Sequence, residues 1–332
     1  MIKLKLPGKL TPAKIQKRGK AFLVGILRYT LLVCLSYLIL APILQNIVLA
    51  FTHPADLGLS SSIWIPIRLS TQNIYVSYKI LSYGPKLLST LLYTTVIMIL
   101  QVVCTLIAGY SFARLKFRGQ GLLFACVIVT IVVPSTIIML PQYLYFNDFR
   151  LFGLIPVFNQ GQGLSMLNKP AVIYLLSVMG MGLKSGLYIY IFRQTFRGLP
   201  KELEQAAYVD GAGFVRTFVG IVLPCAGPGL ITVCVLSFVW NWNDKSFLSW
   251  FDPTNTSNLM FWFVKRTSNM KQALDSVSSV VPGDYTFLPD NLLFQNAVSK
   301  TCALFVLVPL IALYLIVQRR FVQGVERSGI VG

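Results

Sequence analysis

The residues able to do covalent or metal chemistry are few and scattered. His53 is the only histidine, and the six cysteines (Cys34, Cys104, Cys126, Cys225, Cys234 and Cys302) all sit in apolar runs with no CxxC among them. Thiols so placed read as small hydrophobes rather than as disulfides or metal ligands. No GxxxxGK[ST], HExxH or GxSxG occurs, so neither nucleotide hydrolysis nor zinc or serine hydrolase chemistry is expected of this chain. What remains is binding chemistry. Lys184 lies inside an apolar stretch, nine residues before Arg193. At about 1.5 Å per helical residue it would sit near a bilayer midplane, where an unpaired charge costs about 2.5–3.5 kcal/mol. It should therefore face a bundle interior or a watery path. The run Trp240-Asn241-Trp242-Asn243-Asp244 joins indoles to amides and a carboxylate. Indoles anchor at membrane interfaces, and the same mixture suits sugars, which present apolar faces and many hydroxyls.

The most polar helix-like stretch runs from Leu199 to Pro224, LPKELEQAAYVDGAGFVRTFVGIVLP. Pro200 suits a first helical position, and Glu202 and Glu204 suit the positive end of the helix dipole. Ala206 and Ala207 favour helix, and Gly211 offers a left-handed cap. The expectation is one short helix of about ten residues, a tight turn, then an apolar run broken at Pro224. The spacing Ala206-Ala207, Gly211, Ile221-Val222-Leu223-Pro224 resembles the EAA loop of ABC-importer permeases. The wording Glu204-Gln205-Ala206-Ala207-Tyr208-Val209-Asp210-Gly211-Ala212 is similar to that of the carbohydrate-uptake, maltose-transporter-like members. The Trp240 to Asp244 run resembles their WNWND/E segment, and Gln318-Arg319-Arg320-Phe321-Val322-Gln323-Gly324 resembles their tail. The likeness runs from about Lys86 to the C-terminus, and weakly through the first apolar stretch.

The resemblance implies that Glu204, Gln205, Ala206, Ala207, Asp210, Gly211 and Pro224 couple this chain to a cytoplasmic ATPase. Gln205 stands where the family has its glutamate, which turns a charge-assisted contact into a neutral hydrogen bond of roughly half the strength. The resemblance further implies a second permease, most simply a different one, two ATPase subunits that hold ATP and Mg, a solute-binding protein and a sugar substrate. No cofactor is expected on this chain. Lys184, Trp240, Asn241, Trp242, Asn243 and Asp244 are the candidates for the substrate path.

Composition agrees with a polytopic membrane protein: 332 residues, 55% hydrophobic and 12% charged, against about 25% charged in soluble domains. Six apolar stretches are near the roughly 20 residues a span needs. They are 29–50, 87–112, 121–146 with Pro134 and Pro141, 171–192 with Lys184, 217–240 with Pro224 and Pro228, and 301–317. The third is the best candidate for a re-entrant or interfacial segment. The first is too long for a signal peptide and lacks a small-residue cleavage site.

The formal net charge is +18. The tail, the 113–120 and 193–216 loops and the C-terminus carry 18 basic and 4 acidic residues; the 51–86, 147–170 and 241–300 loops carry 10 and 7. By the positive-inside rule both termini are cytoplasmic, and so is the Leu199 to Pro224 loop. The excess positive charge is topological and does not mark a nucleic-acid surface.

The expected fold is therefore all-α: six transmembrane helices in the type I ABC-importer permease architecture with a cytoplasmic coupling helix, in a bacterial inner or plasma membrane among lipid. The expected parts are a basic tail (1–28), a first span (29–50), an outer loop (51–86), a permease core (87–317) and a C-terminal tail (318–332). Within the core, 199–216 is the coupling loop and 241–300 an outer insertion, with turn signals at Pro253, Pro282-Gly283 and Pro289. A permease for a non-sugar solute is one alternative. Another is an ion-coupled secondary transporter, which would need more intramembrane ionisable groups than this chain holds.

Overall fold

The computed structural model describes residues 12–59, 64–150, 163–255, 257–278 and 289–330, with side chains from 22 to 319. The first part of the basic tail and the Pro282-Gly283 turn lie outside the described residues. Helix dominates, and among the described residues only two isolated β-bridges occur, Thr52 with Leu69 and Phe149 with Leu164. Three helices are long and apolar enough to cross a membrane: Phe22–Phe51 within α1 (Pro12–Phe51), α3 (Tyr83–Arg114), and Leu292–Arg319 within the last helix (Leu292–Ile330). Two bent pairs raise the count to five if each is one span. The 318–332 tail expected from sequence is therefore helical as far as Ile330.

The chain divides into two compact units. One runs to Ser77 and takes in the stretch ending at Leu304. In it α1 presents exposed apolar residues from Phe22 to Leu40. Beyond α1, Asn73 at the start of α2 (Gln72–Leu81) donates to the carbonyls of Leu49 and Thr52, at 2.8 and 2.9 Å. Arg68 forms an ion pair with Asp56, which holds that carboxyl below the usual range. His53 caps a single turn of 3-10 helix, accepting from the Ala55 N–H at 3.2 Å.

The other unit, Tyr78 to Asp284 and from Phe305 onward, holds the polar loop and the broken spans. Its central element is α3, whose sides are reversed relative to a soluble helix. The buried stripe holds Thr90, Thr94, Gln101 and Thr105 beside Ile97, Val102 and Leu106, while Leu88, Leu92, Ile99, Val103 and Ile107 are exposed. Lipid tails are as apolar as leucine, so polar and small residues are what distinguish the packed face of a membrane helix. Gly109 lies where α3 meets α7 (Ser185–Arg197). A methyl group there would run into Phe192 and stand 3.2 Å from the Ile189 carbonyl, so the two backbones approach closely.

Three apolar stretches are broken. The third is α4 (Gln120–Val132) and α5 (Ser135–Asn147), bent by 107° at Val133 and Pro134. A proline there lacks the N–H that would continue the ladder. The fifth is α9 (Phe214–Cys225), which includes a π turn at Phe218–Val222, and α10 (Gly227–Trp242), bent by 77° at Ala226. The fourth was expected as one helix with Lys184 at its middle, and the structure corrects this. It is α6 (Ala171–Val178), a turn, and α7, with Gly180 at φ +69° and Lys184 itself at φ +61°. Lys184 is thus the left-handed residue that starts α7. Among the described residues the 241–300 insertion contributes three short helices, α11 (Ser246–Phe251), α12 (Leu259–Thr267) and α13 (Met270–Asp275). Phe247, Leu248 and Phe251 of α11 pack with Ile97, Met139, Phe146, Val172 and Leu176 in one core.

Candidate functional site

Two sites emerge in the second unit. The first is the polar loop, whose helix α8 spans Glu202–Val209. It starts two residues after Pro200, so the proline precedes the helix rather than opening it. Its far end is a Schellman closure: the Gly211 N–H bonds the Tyr208 carbonyl at 3.1 Å and the Ala212 N–H bonds the Ala207 carbonyl at 2.9 Å. Gly211 supplies the required φ of +79°, and nothing lies within 4 Å of where its Cβ would be. Glycine is needed there for conformation alone, not for space.

The sides of α8 are distinct. Glu204 and Ala207 face their own chain. Arg114, at the end of α3, places Nε 2.8 Å from Glu204 Oε1 and donates from Nη2 to the Leu199 carbonyl at 2.7 Å. The Nε contact is an ion pair, not aligned as a hydrogen bond. Tyr110 donates its hydroxyl to Glu204 Oε2 at 3.1 Å, and its ring packs on Phe196, Phe214 and Phe218. Gln205, Ala206, Tyr208, Val209 and Asp210 are exposed. Val209 is 87% exposed, and Val215 and Val219 of α9 are exposed as well, at 71% and 56%. Pro224 is exposed in the last turn of α9, beside the bend.

The second site is a cavity of about 260 Å³ where the third and fourth stretches break. Thr130, Ser135, Gln142, Lys184, Ser185, Trp240 and Phe247 are its polar and aromatic lining. Lys184 Nζ stands 5.0 Å from the centre of the Trp240 ring. Gln142 bonds weakly to the Met181 carbonyl at 3.4 Å, and its Oε1 has no hydrogen-bond partner.

Beneath the cavity lies a buried amide network centred on Gln101. Its Nε2 donates to the Leu183 carbonyl at 2.6 Å and to Ser185 Oγ at 2.9 Å. Its Oε1 accepts from Ser237 Oγ at 2.7 Å and from Asn241 Nδ2 at 3.1 Å. One side chain thereby joins α3, the fourth-stretch turn and α10, with every hydrogen-bonding position filled.

The Trp240 to Asp244 run divides accordingly. Lys184 and Trp240 meet at the cavity. Asn241 and Trp242 are instead internal: Asn241 belongs to the Gln101 network, and Trp242, fully buried, stacks on Phe238 and donates to the Val306 carbonyl at 3.2 Å. An amide and an indole N–H with such partners are structural groups, which corrects their expected place on a substrate path. Asn243 is exposed, its amide on the Val239 carbonyl. Asp244 caps α11, its Oδ1 accepting from the N–H groups of Ser246 and Phe247 at 3.0 and 3.1 Å. Burial pushes its pKa up to about 6 despite those two donors. Sequence reasoning did not single out Gln101, Ser237, Tyr110 or Arg114. Gln101 carried a signal, as the only amide in an apolar run of some 25 residues.

The chain's kinship agrees with this arrangement. Residues 101–327 match the family described as binding-protein-dependent transport system inner membrane component. Among curated proteins, the chain is 26% identical over 274 residues to the melibiose/raffinose/stachyose import permease protein MelC of Bacillus subtilis, covering 82% of this chain and 85% of that one. It is 29% identical over 241 residues to the trehalose transport system permease protein SugB of Mycobacterium tuberculosis, covering 73% of each. The arabinooligosaccharides transport system permease protein AraQ of Halalkalibacterium halodurans is 26% identical over 302 residues, 90% of this chain and 93% of that one. A chain from the crystal structure of a bacterial ABC transporter involved in the import of the acidic polysaccharide alginate superposes with a TM-score of 0.64 at 17% identity, covering 91% of this chain and 98% of that one. That likeness shows a shared fold. With the family match spanning more than two thirds of its length, the chain belongs to the binding-protein-dependent transport system inner membrane components.

Proposed function

We propose that this chain is the membrane-spanning subunit of an ATP-binding-cassette importer that takes up a saccharide delivered by an extracytoplasmic solute-binding protein. Six apolar stretches cross the membrane, the broken fourth included, with both termini cytoplasmic. A second, different permease completes the pathway, and two ATPase subunits hold ATP and Mg below it. This chain binds no cofactor of its own. The observation that carries the reading is α8 with its Gly211 closure, on the side of the membrane that the basic loops assign to the cytoplasm. The saccharides named for the relatives support the substrate class.

In this reading α8 has two working sides. Gln205, Ala206 and Val209 meet the ATPase. Glu204 and Ala207 hold the helix to α3 and α9, so a push on the exposed side moves the spans. ATP-driven closure then changes which side of the membrane the cavity opens to, through contacts that differ between the two states. Saccharide passes the cavity by Lys184 and Trp240.

The test is ATP-dependent uptake of labelled saccharide into proteoliposomes that hold the complete transporter, with its binding protein supplied. Gly211→Val should cut uptake at least tenfold at unchanged membrane level, because a β-branched residue resists φ near +79°. Normal uptake by that variant would overturn the coupling role of α8.

A further inference from the structure

Lys184 is the one charged residue within the six apolar stretches, and none of them contains an aspartate or glutamate. Its own chain therefore offers no intramembrane carboxylate to balance it. Among the described residues no acid lines the cavity, and Lys184 belongs to none of the ion pairs there. Its Nζ stands over the Trp240 ring, 5.0 Å from its centre. Its backbone is left-handed at φ +61°. For a lysine this costs on the order of 1 kcal/mol, a strain that persists only where the surroundings fix it. The buried Gln101 contacts to Leu183 and Ser185 hold the residues on both sides of it. The backbone that carries the ammonium is thus fixed where Lys184 and an indole line one cavity.

We infer that the cavity takes an anionic saccharide, one ring at a time, with a carboxylate or phosphate group on Lys184 and a sugar face on Trp240. This rests on the reading of the chain as a saccharide permease. The volume of about 260 Å³ is just under the roughly 300–1,000 Å³ of drug-sized ligand pockets, which suits a single ring. The substrate's anion supplies the counter-charge that the chain lacks. A neutral saccharide would leave the ammonium uncompensated.

The test is uptake by the complete transporter in proteoliposomes, with digalacturonate, trehalose 6-phosphate and the neutral disaccharides galactobiose and trehalose as probes. The variants are Lys184→Gly, which tolerates the left-handed backbone and removes the side chain with its ammonium, and Lys184→Arg, which keeps the charge. The expected result is uptake of at least one anionic probe. Lys184→Gly should raise its half-saturating concentration about tenfold or more, the size of one charge-assisted contact, and Lys184→Arg should restore most of it. Which anionic probe responds separates carboxylate from phosphate. Uptake of neutral probes alone would overturn the inference and leave the saccharide permease standing. So would equal loss of every probe in Lys184→Gly, which would mark Lys184 as a partner for the second permease. No ATP-dependent uptake of any saccharide would overturn both.

Discussion

Glu204 ties α8 to its own chain from the covered side of the helix. Its carboxylate is held by Arg114 and Tyr110 of its own chain, with the Arg114 and Glu204 side chains only 6% and 13% exposed. Removing one partner of so covered a pair strands the other, at about 3 kcal/mol, the low end for a fully buried pair. Arg114→Ala should therefore lower the thermal midpoint of the purified protein and speed protease cutting in the 198–216 loop. Combining it with Glu204→Leu should recover part of the loss, because the double variant strands no charge. Additive losses in that double-mutant cycle would show that the pair does not hold α8. Asp244 makes a pH-dependent claim. Its pKa is near 6, so the folded state binds the proton more tightly than the unfolded chain, where the value is about 4. Its contribution to stability is greatest below pH 4, declines as pH rises through 6 and is flat above, with a span of up to about 3 kcal/mol. Asp244→Asn keeps an oxygen for the Ser246 and Phe247 N–H groups and removes the titration. The stability difference between the two proteins, measured from pH 4 to 8, should follow that curve. A constant difference would refute it.

At the scale of the elements, the glycines decide how closely helices run. A side chain at Gly109 would meet the α7 backbone, so Gly109→Leu should force α3 and α7 apart. The cost expected is at least 1–3 kcal/mol, seen as a lower thermal midpoint and weaker membrane accumulation. Gly119, with open space around its Cβ position, is the contrast for sterics: Gly119→Ala meets no atom, and only its φ of +80° penalises it. Equal damage at both positions would mean that packing is not the cause. The elements also show what the sequence could and could not reveal. The breaks of the third and fifth stretches were legible, because Pro134, Pro224 and Pro228 interrupt their ladders. The break of the fourth was not, because no proline marks it. At that break Gln101, some 80 residues earlier, bonds the Leu183 carbonyl and so satisfies a group an unbroken helix would have bonded itself. For the same reason Asn241 and Trp242 read as path residues. Their partners, Gln101 and Val306, are far away in sequence.

At the scale of the molecule, the basic residues gather in the termini and in the 113–120 and 193–216 loops, and the helix with the Gly211 closure lies in the last of these. In the proposed reading that side is the cytoplasm. Composition gives the membrane class without any motif. The motif gives the family, which the match over residues 101–327 bears out. The solute was less legible, since the polar lining of the cavity is assembled from four separate stretches of chain. The most direct test of the account is affinity purification of this chain from its native membrane in mild detergent, with the co-purifying proteins identified and counted. The account predicts two ATPase subunits, one further permease and a solute-binding protein, with the ATPase lost from Gly211→Val. A chain that purifies alone, and drives uptake from an ion gradient without ATP when reconstituted, would contradict it.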